Sequence, residues 1–358
     1  MTTTMIPAEA FPPGELLRDE LADRGWAEGE FAEIIGRPVQ AVSEILNGKK
    51  EITPETAVAI AAALGTSAEL WLNLQASYRL HQIRSQQAPA LKPVQRRARL
   101  RSLIPVRELQ KRSWLPTTDD IDVLERAVCD FLHIKRLDEE PNFAIAARRS
   151  NAGTSLTPEQ TAWVARIEQL GAGQASKPFD VGCLSELAAN LARRLEGPKD
   201  LAHLREWVEQ CGGTLIIELP LRNSKIDGVV SFAADNPIIG LSTRGNRMDS
   251  FVFTLLHEIA HLVLGHVTQG ALRIDEDVQE GTDSGYEDEA NERAGTWIFP
   301  TPFDLPSRSP LPSELVDLAR AHSIHPCFVV GRLQNDGRLE WSDYRRTIPK
   351  VRPYVKLG

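Results

Sequence analysis

At residues 257–261 the chain reads His-Glu-Ile-Ala-His, inside the longer run TLLHEIAHLVLGH. Two histidines four residues apart share one face of a helix and can chelate a single divalent ion. A zinc ion with three protein donors keeps a fourth position for water, and Glu258, beside it, can take the water's proton and pass it to a leaving amine. The chemistry implied is hydrolysis of an amide with Zn2+ as cofactor. The competing reading is a core helix carrying two histidines satisfied by ordinary partners. The pentapeptide alone does not separate the two, because a third ligand is needed.

A following helix, YEDEANERAG, supplies Glu287, Asp288 and Glu289. In zincins whose third ligand is glutamate, that residue opens an E-x-x-[AS]-[DN] pattern, which Glu287-Asp288-Glu289-Ala290-Asn291 resembles. The resemblance implies Glu287 as ligand and Asn291 as the partner that holds the other ring nitrogen of a ligating histidine. Glu289, two residues on, is expected to face solvent. His266, five residues beyond His261, is expected to lie off the chelating face and to interact with the helix dipole. Tyr286 and Arg293 are candidates for stabilising an oxyanion by proximity in sequence only.

These residues must be positioned by folded elements. After Gly212-Gly213 the pattern becomes short, β-branched and punctuated by turns (TLIIELPL, DGVVSFAA, NPIIGLS), as in strands of a small sheet. MDSFVFTLLHEIAHLVLG then reads as a helix capped at Asp249 or Ser250. YEDEANERAGTWIF is a helix stopped by Pro300, SELVDLARAHS another, and VVGRL is strand-like before a turn at Asn335-Asp336-Gly337. The strand NPIIGLS is either an edge open to an extended substrate peptide or an interior strand. Residues 117–210 look mainly helical, with Gly- and Pro-containing breaks.

From about residue 14 to 84 short amphipathic helices alternate with tight connections, and Gly25, Gly36, Gly48 and Gly65 stand where glycine ends a helix at little cost. Thr53-Pro54-Glu55 starts a further helix with a cap and a first-turn proline. In EFAEIIGRPVQAVSEILNGKK a helix ends at Gly36, Arg37-Pro38 forms a turn, and a second helix runs to Asn47-Gly48. This spacing suits a helix-turn-helix with its second helix in the major groove. Arg37, Gln40, Ser43 and Glu44 would face bases, and Lys49 and Lys50 a phosphate strand. A plain helical bundle with a solvated polar face is the alternative. Acidic residues outnumber Arg18, Arg24, Arg37, Lys49, Lys50 and Arg79 here, so the electrostatic part of DNA affinity is modest unless the basic stretch 92–112 also lies on the duplex.

The run IGRPVQAVSEILNGKKEITPETAVAIAAALGTSAELWLNLQASYRL resembles the Cro/repressor-like (XRE) helix-turn-helix of HigA-type antitoxins, over about the first quarter of the chain. The resemblance implies double-stranded operator DNA as partner and a homodimer. The order strand, strand, HExxH helix, ExxAN helix over roughly 180–300 resembles the ImmA/IrrE family of metallo-endopeptidases. That implies His257, His261 and Glu287 as zinc ligands and Glu258 as catalytic base. Where many members carry a phenylalanine-alanine pair after the asparagine, this chain has Glu292-Arg293-Ala294-Gly295, so the packing of that helix is expected to differ.

The bulk composition fits these readings. A chain of 358 residues with 42% hydrophobic and 25% charged residues expects several globular domains. Its apolar runs are too short or too polar to span a bilayer, and no secretory signal is visible, so no membrane partner and a cytoplasmic location are expected. The net charge of −8 gives no global attraction to nucleic acid. Cys129, Cys183, Cys211 and Cys327 lie far apart without a C-x-x-C pair and are expected to be reduced and buried.

The expected fold is α+β and mainly α. It has a helix-turn-helix bundle at 1–84, a basic linker or connecting helix at 85–116, a helical middle region at 117–210, a zincin-like metallopeptidase core with a small sheet and the HExxH helix at 211–300, and an extension at 301–358. Three functions follow. One is a DNA-binding regulator whose zinc endopeptidase cuts a repressor or antitoxin-like protein. Another is an antitoxin-type repressor whose zinc domain senses or binds a partner without cutting. The third is a zinc protease whose N-terminal helices are a protein-binding scaffold.

Overall fold

The computed structural model describes residues 11–143, 155–174, 177–233, 235–267, 273–276, 284–301 and 310–358. It divides into two compact units, 1–95 and 96–358.

The first unit holds α1 (Pro13–Arg24), α2 (Glu28–Ile34), α3 (Val39–Leu46), α4 (Pro54–Leu64) and the start of a long helix, α5 (Ala68–Leu103). Its core gathers Leu17, Leu21, Phe31, Val42, Leu46, Ile60 and Trp71. The buried Trp71 indole donates to Thr66 Oγ1 at 2.8 Å, so its one polar atom is satisfied. The expected helix stops hold: Gly25, Gly36, Gly48 and Gly65 all adopt left-handed φ. Thr53 caps α4, its side chain accepting from the Thr56 amide. Arg18 and Arg24 donate to the carbonyls of Leu46 and Leu64, tying α1 to the ends of α3 and α4. Those two cations therefore serve the bundle.

The second unit continues with α6 (Val106–Lys111), α7 (Ile121–Leu132), α8 (Pro158–Gly171), α9 (Val181–Arg194) and α10 (Leu204–Gln210). The strands are β1 (Thr214–Glu218), β2 (Ile226–Ala233), β3 (Asn236–Ser242) and β4 (Arg273–Glu276), in the order β1-β3-β2-β4. β1 runs parallel to β3, and the other pairings are antiparallel. NPIIGLS is thus an interior strand, paired on both sides.

Side chains alternate across the pleat and so build two cores. Ile216, Val229 and Ile238 face a cluster with Trp163 and Ile167 of α8, while Leu215, Ile217, Val230 and Ile239 face α9 and α11 (Met248–Val263). Helices on both faces explain why every residue of β1 is buried. The unit ends with α12 (Ser284–Ile298), α13 (Pro312–Ala321) and α14 (Pro326–Asn335).

Several expectations change. Of the linker and the connecting helix read over 85–116, the structure has the helix: α5 runs through it to Leu103, and Leu100, Ile104, Leu109 and Leu115 enter the core that holds α7 and α8. Arg96 pairs with Asp122 and Glu125, Arg99 donates to the Leu137 carbonyl, and Arg112 to those of Leu219 and Pro220. These three cations bind their own unit.

VVGRL is helical, not a strand. Pro326 starts α14, with His325 Nδ1 accepting from the Cys327 amide at 3.1 Å, and Val329, Val330 and Leu333 are buried on the helical period. A short β-branched run is ambiguous until its burial is known. Neither Asp249 nor Ser250 caps α11, which begins at Met248 after Arg247. Asp249 instead makes a forked, buried ion pair with Arg247, at 3.1 and 2.6 Å.

The cysteines are not all reduced. Cys183 of α9 and Cys211 after α10 form a disulfide, their Cα atoms 5.3 Å apart, while Cys129 and Cys327 are free and buried. No helix among the described residues is long and apolar enough to cross a membrane.

Candidate metal centre

The HExxH helix, α11, is buried along most of its length, between the sheet and the helices α9, α12 and α14. His257, Glu258 and His261 are each 1% exposed. Ala290 and Ala294 of α12 are fully buried, and such small residues let that helix approach α11 closely. The tetrapeptide Glu292-Arg293-Ala294-Gly295 therefore keeps the small buried residue that the crossing needs.

The crossing brings Glu287 to the two histidines. His257 Nε2 lies 2.9 Å from His261 Nε2 and 3.1 Å from Glu287 Oε2, and His261 Nε2 lies 3.6 Å from Glu287 Oε1. All three donors lie within 4.8 Å of one another. Two ligands about 2.1 Å from a tetrahedral zinc stand about 3.4 Å apart, so the spacing is that of a ligand set.

Proton bookkeeping supports the same conclusion. His257 Nδ1 is 3.0 Å from Asn291 Oδ1, an acceptor, so Nδ1 carries the hydrogen and donates it. Nε2 of a neutral His257 is then a lone pair aimed at two other electron-rich atoms, an arrangement that a cation relieves. Asn291 thus stands within hydrogen-bond distance of the ring nitrogen of His257 that faces away from Glu287.

Glu258 packs closely against the strand beneath it. A Cβ built on Gly228 of β2 would lie 2.0 Å from Glu258 Oε1, so the carboxylate rests directly on the strand's backbone. The sequence reading did not single out Gly228. An isolated glycine within a strand pattern is the signal that could have found it.

His266 lies outside the donor set and Glu289 is largely exposed, as expected, but both make contacts that the sequence reading did not include. His266 Nδ1 lies 3.0 Å from His261 Nδ1, and His266 Nε2 lies 3.0 Å from Glu289 Oε2. His266 therefore backs a histidine of the centre, and Glu289, although 62% exposed, is held to it. Tyr286 packs its ring on His266, with centroids 4.6 Å apart, and the Arg293 guanidinium lies 6.0 Å from the Trp297 ring centroid on its own helix. A cavity of about 930 Å³ lies between α11, α12 and α14, lined among others by Phe253, Asn291, Phe299, Phe328 and Trp341; His257, Glu258, His261 and Glu287 are not on its wall.

In the first unit, α2, the Gly36-Arg37-Pro38 turn and α3 form the expected helix-turn-helix. Arg37, Gln40, Lys49 and Lys50 are exposed, and Ser43 and Glu44 are half-buried. Gln40 donates to Glu44 at 3.2 Å, and Asn47 donates to the Ser43 carbonyl at 2.8 Å.

Residues 17–71 match the family model described as helix-turn-helix, and residues 209–333 that of the IrrE N-terminal-like domain, a peptidase family. The HTH-type transcriptional regulator YddM of Escherichia coli (strain K12) is 32% identical over 68 residues, 19% of this chain and 72% of its own length. The virulence-associated protein A of Dichelobacter nodosus is 41% identical over 66 residues, 18% of this chain and 65% of its own. A solved HigA-family addiction module antidote protein from Coxiella burnetii is 32% identical and covers 24% of this chain and 92% of its own, with a TM-score of 0.23. Each of these three spans a quarter of the chain or less.

Proposed function

Because the chain belongs to the helix-turn-helix transcriptional regulators and carries an IrrE N-terminal-like peptidase domain as well, we propose that it is a DNA-binding regulator with a zinc-dependent endopeptidase that cuts a regulatory protein, such as a repressor or antitoxin-like protein. The observation that carries this reading is the convergence of His257, His261 and Glu287 donors beside the buried Glu258.

Two imidazoles and a carboxylate suit zinc, with His257, His261 and Glu287 as its ligands. The ion supplies Lewis acidity to a scissile carbonyl and to an attacking water. Glu258 is the catalytic base: it takes the water's proton and gives it to the departing amine. Gly228 leaves room for that carboxylate against the strand, and Asn291 fixes the His257 ring.

In the first unit, Arg37, Gln40, Ser43 and Glu44 meet base edges, and Lys49 and Lys50 meet phosphates of an operator. A single small module covers little DNA surface, so the regulator binds as a homodimer, and it acts in the cytoplasm.

The test compares protein N-termini across cells carrying the wild type or Glu258→Gln. New termini seen only with the wild type identify a protease and its target. Identical termini, with zinc bound in both proteins, would replace this reading with a repressor that senses or binds a partner without cutting.

A further inference from the structure

We infer that His266 and Glu289 form a positioning relay behind the metal centre that holds His261 in its metal-binding tautomer; this rests on the zinc reading above. The relay begins in the way α11 ends. Gly265 sits in the left-handed region at φ 74°, the His266 amide donates to the His261 carbonyl at 2.9 Å, and the Gly265 amide to that of Leu262 at 3.2 Å. This is a Schellman cap, which brings the residue after the glycine back onto the residue five positions earlier. Such caps commonly carry an apolar contact between those two positions. Here both are histidines, with Nδ1 atoms 3.0 Å apart.

The carboxylate fixes the direction of this contact. Glu289 Oε2, 3.0 Å from His266 Nε2, can only accept when ionised, so His266 Nε2 carries the hydrogen. The Nδ1 of a neutral His266 is then a lone pair, and His261 Nδ1–H donates to it. His261 Nε2 is left as a lone pair pointing at His257 and Glu287, which is the state a metal donor must have. The two ligand histidines thus have different supports: Asn291 holds His257 directly, and Glu289 holds His261 through His266. Tyr286 covers the His266 ring, whose side chain is 4% exposed, and limits competition from water.

The test measures zinc affinity of the full-length protein by competition with a chromogenic chelator, alongside the visible spectrum of the Co2+-substituted protein. His266→Phe keeps a ring under Tyr286 but removes the acceptor, and zinc affinity is expected to fall about 10- to 100-fold with an altered cobalt spectrum. His266→Asn places an amide oxygen where Nδ1 stood and is expected to recover affinity to within a few-fold of the wild type. Wild-type affinity in His266→Phe, or equal losses in His266→Phe and His266→Asn, would overturn the relay. Should His266→Phe not fold, the exposed Glu289→Ala, which removes the acceptor from His266 Nε2, decides: a loss of about threefold or more supports the relay and an unchanged affinity ends it. A wild-type protein that binds no zinc would instead refute the metal centre itself.

Discussion

Gly228 of the second strand and Glu258 of the HExxH helix meet so closely that a single added methyl at Gly228 would stand 2.0 Å from the Glu258 Oε1. Glu258 is 1% exposed, so its carboxylate has little room to swing aside. The sheet therefore bounds the space of the proposed base, while α11 and α12 carry the proposed metal donors.

Gly228→Ala should separate these two roles. The carboxylate must move, at a stability cost of about 1–3 kcal/mol for overpacking, while the ligand atoms stay in place. Cleavage of the cellular target should fall at least about tenfold, with zinc content near that of the wild type. Equal loss of zinc and cleavage would show that Gly228 supports the whole site.

Glu258→Gln removes the base and retains every donor. Zinc measured by elemental analysis should remain, and the cleavage rate should fall by about 10²- to 10⁴-fold. Retained proteolysis would mean that another group takes the proton.

Asn291→Ala leaves the His257 ring without its acceptor, 3.0 Å away in the wild type. Zinc affinity should weaken about 10- to 100-fold, and more in Glu287→Gln, which loses a ligand oxygen. Affinities in the reverse order would exchange the roles of these two residues.

Glu168 of α8 offers a test by pH. Burial raises its carboxyl from the ordinary 4.5 to about 7, an effect the nearby Ser231 hydroxyl partly offsets. A raised folded-state value means that the group favours the fold below pH 4.5 and that this advantage is lost as pH climbs toward 7. Glu168→Gln should thus gain stability at pH 8 relative to the wild type, by about 1–2 kcal/mol once partial exposure is discounted, and little at pH 4. Urea unfolding at both pH values reads this. A gain that does not vary with pH would point to packing.

For the DNA-binding unit, Gln40→Ala should weaken specific operator binding by about 1–3 kcal/mol and relax base preference at one position. Lys49→Ala and Lys50→Ala should weaken binding to all sequences alike and lower the salt slope by about one each. Fluorescence anisotropy at several salt concentrations separates the two behaviours. A Gln40→Ala variant that binds its operator as the wild type does would remove that residue from the interface.

Much of the centre was legible because its signals are local. The i, i+4 spacing of His257 and His261 is fixed by the helical turn, and the EDEAN run places Glu287 and Asn291 one turn apart on a single helix. The glycine stops and the Thr53-Pro54 start of the first unit are local for the same reason, since capping is settled within a few residues. VVGRL failed because two adjacent β-branched residues suit a strand and a buried helix equally, and only its packing against α11 decides between them.

What the sequence by itself determined is the chemistry available: two imidazoles and a carboxylate with ligand spacing, a base beside them, and a helix-turn-helix ahead of them. The tertiary structure alone decided which distant residues serve that chemistry. The sheet order put β3 in the interior and Gly228 under Glu258, the crossing of α11 and α12 gave Glu289 to His266, and the packing of α9 against α10 joined Cys183 to Cys211. Backbone periodicity encodes what lies within a turn or two along the chain. Contacts between separate elements depend on how the whole core closes, and no short stretch of sequence records that.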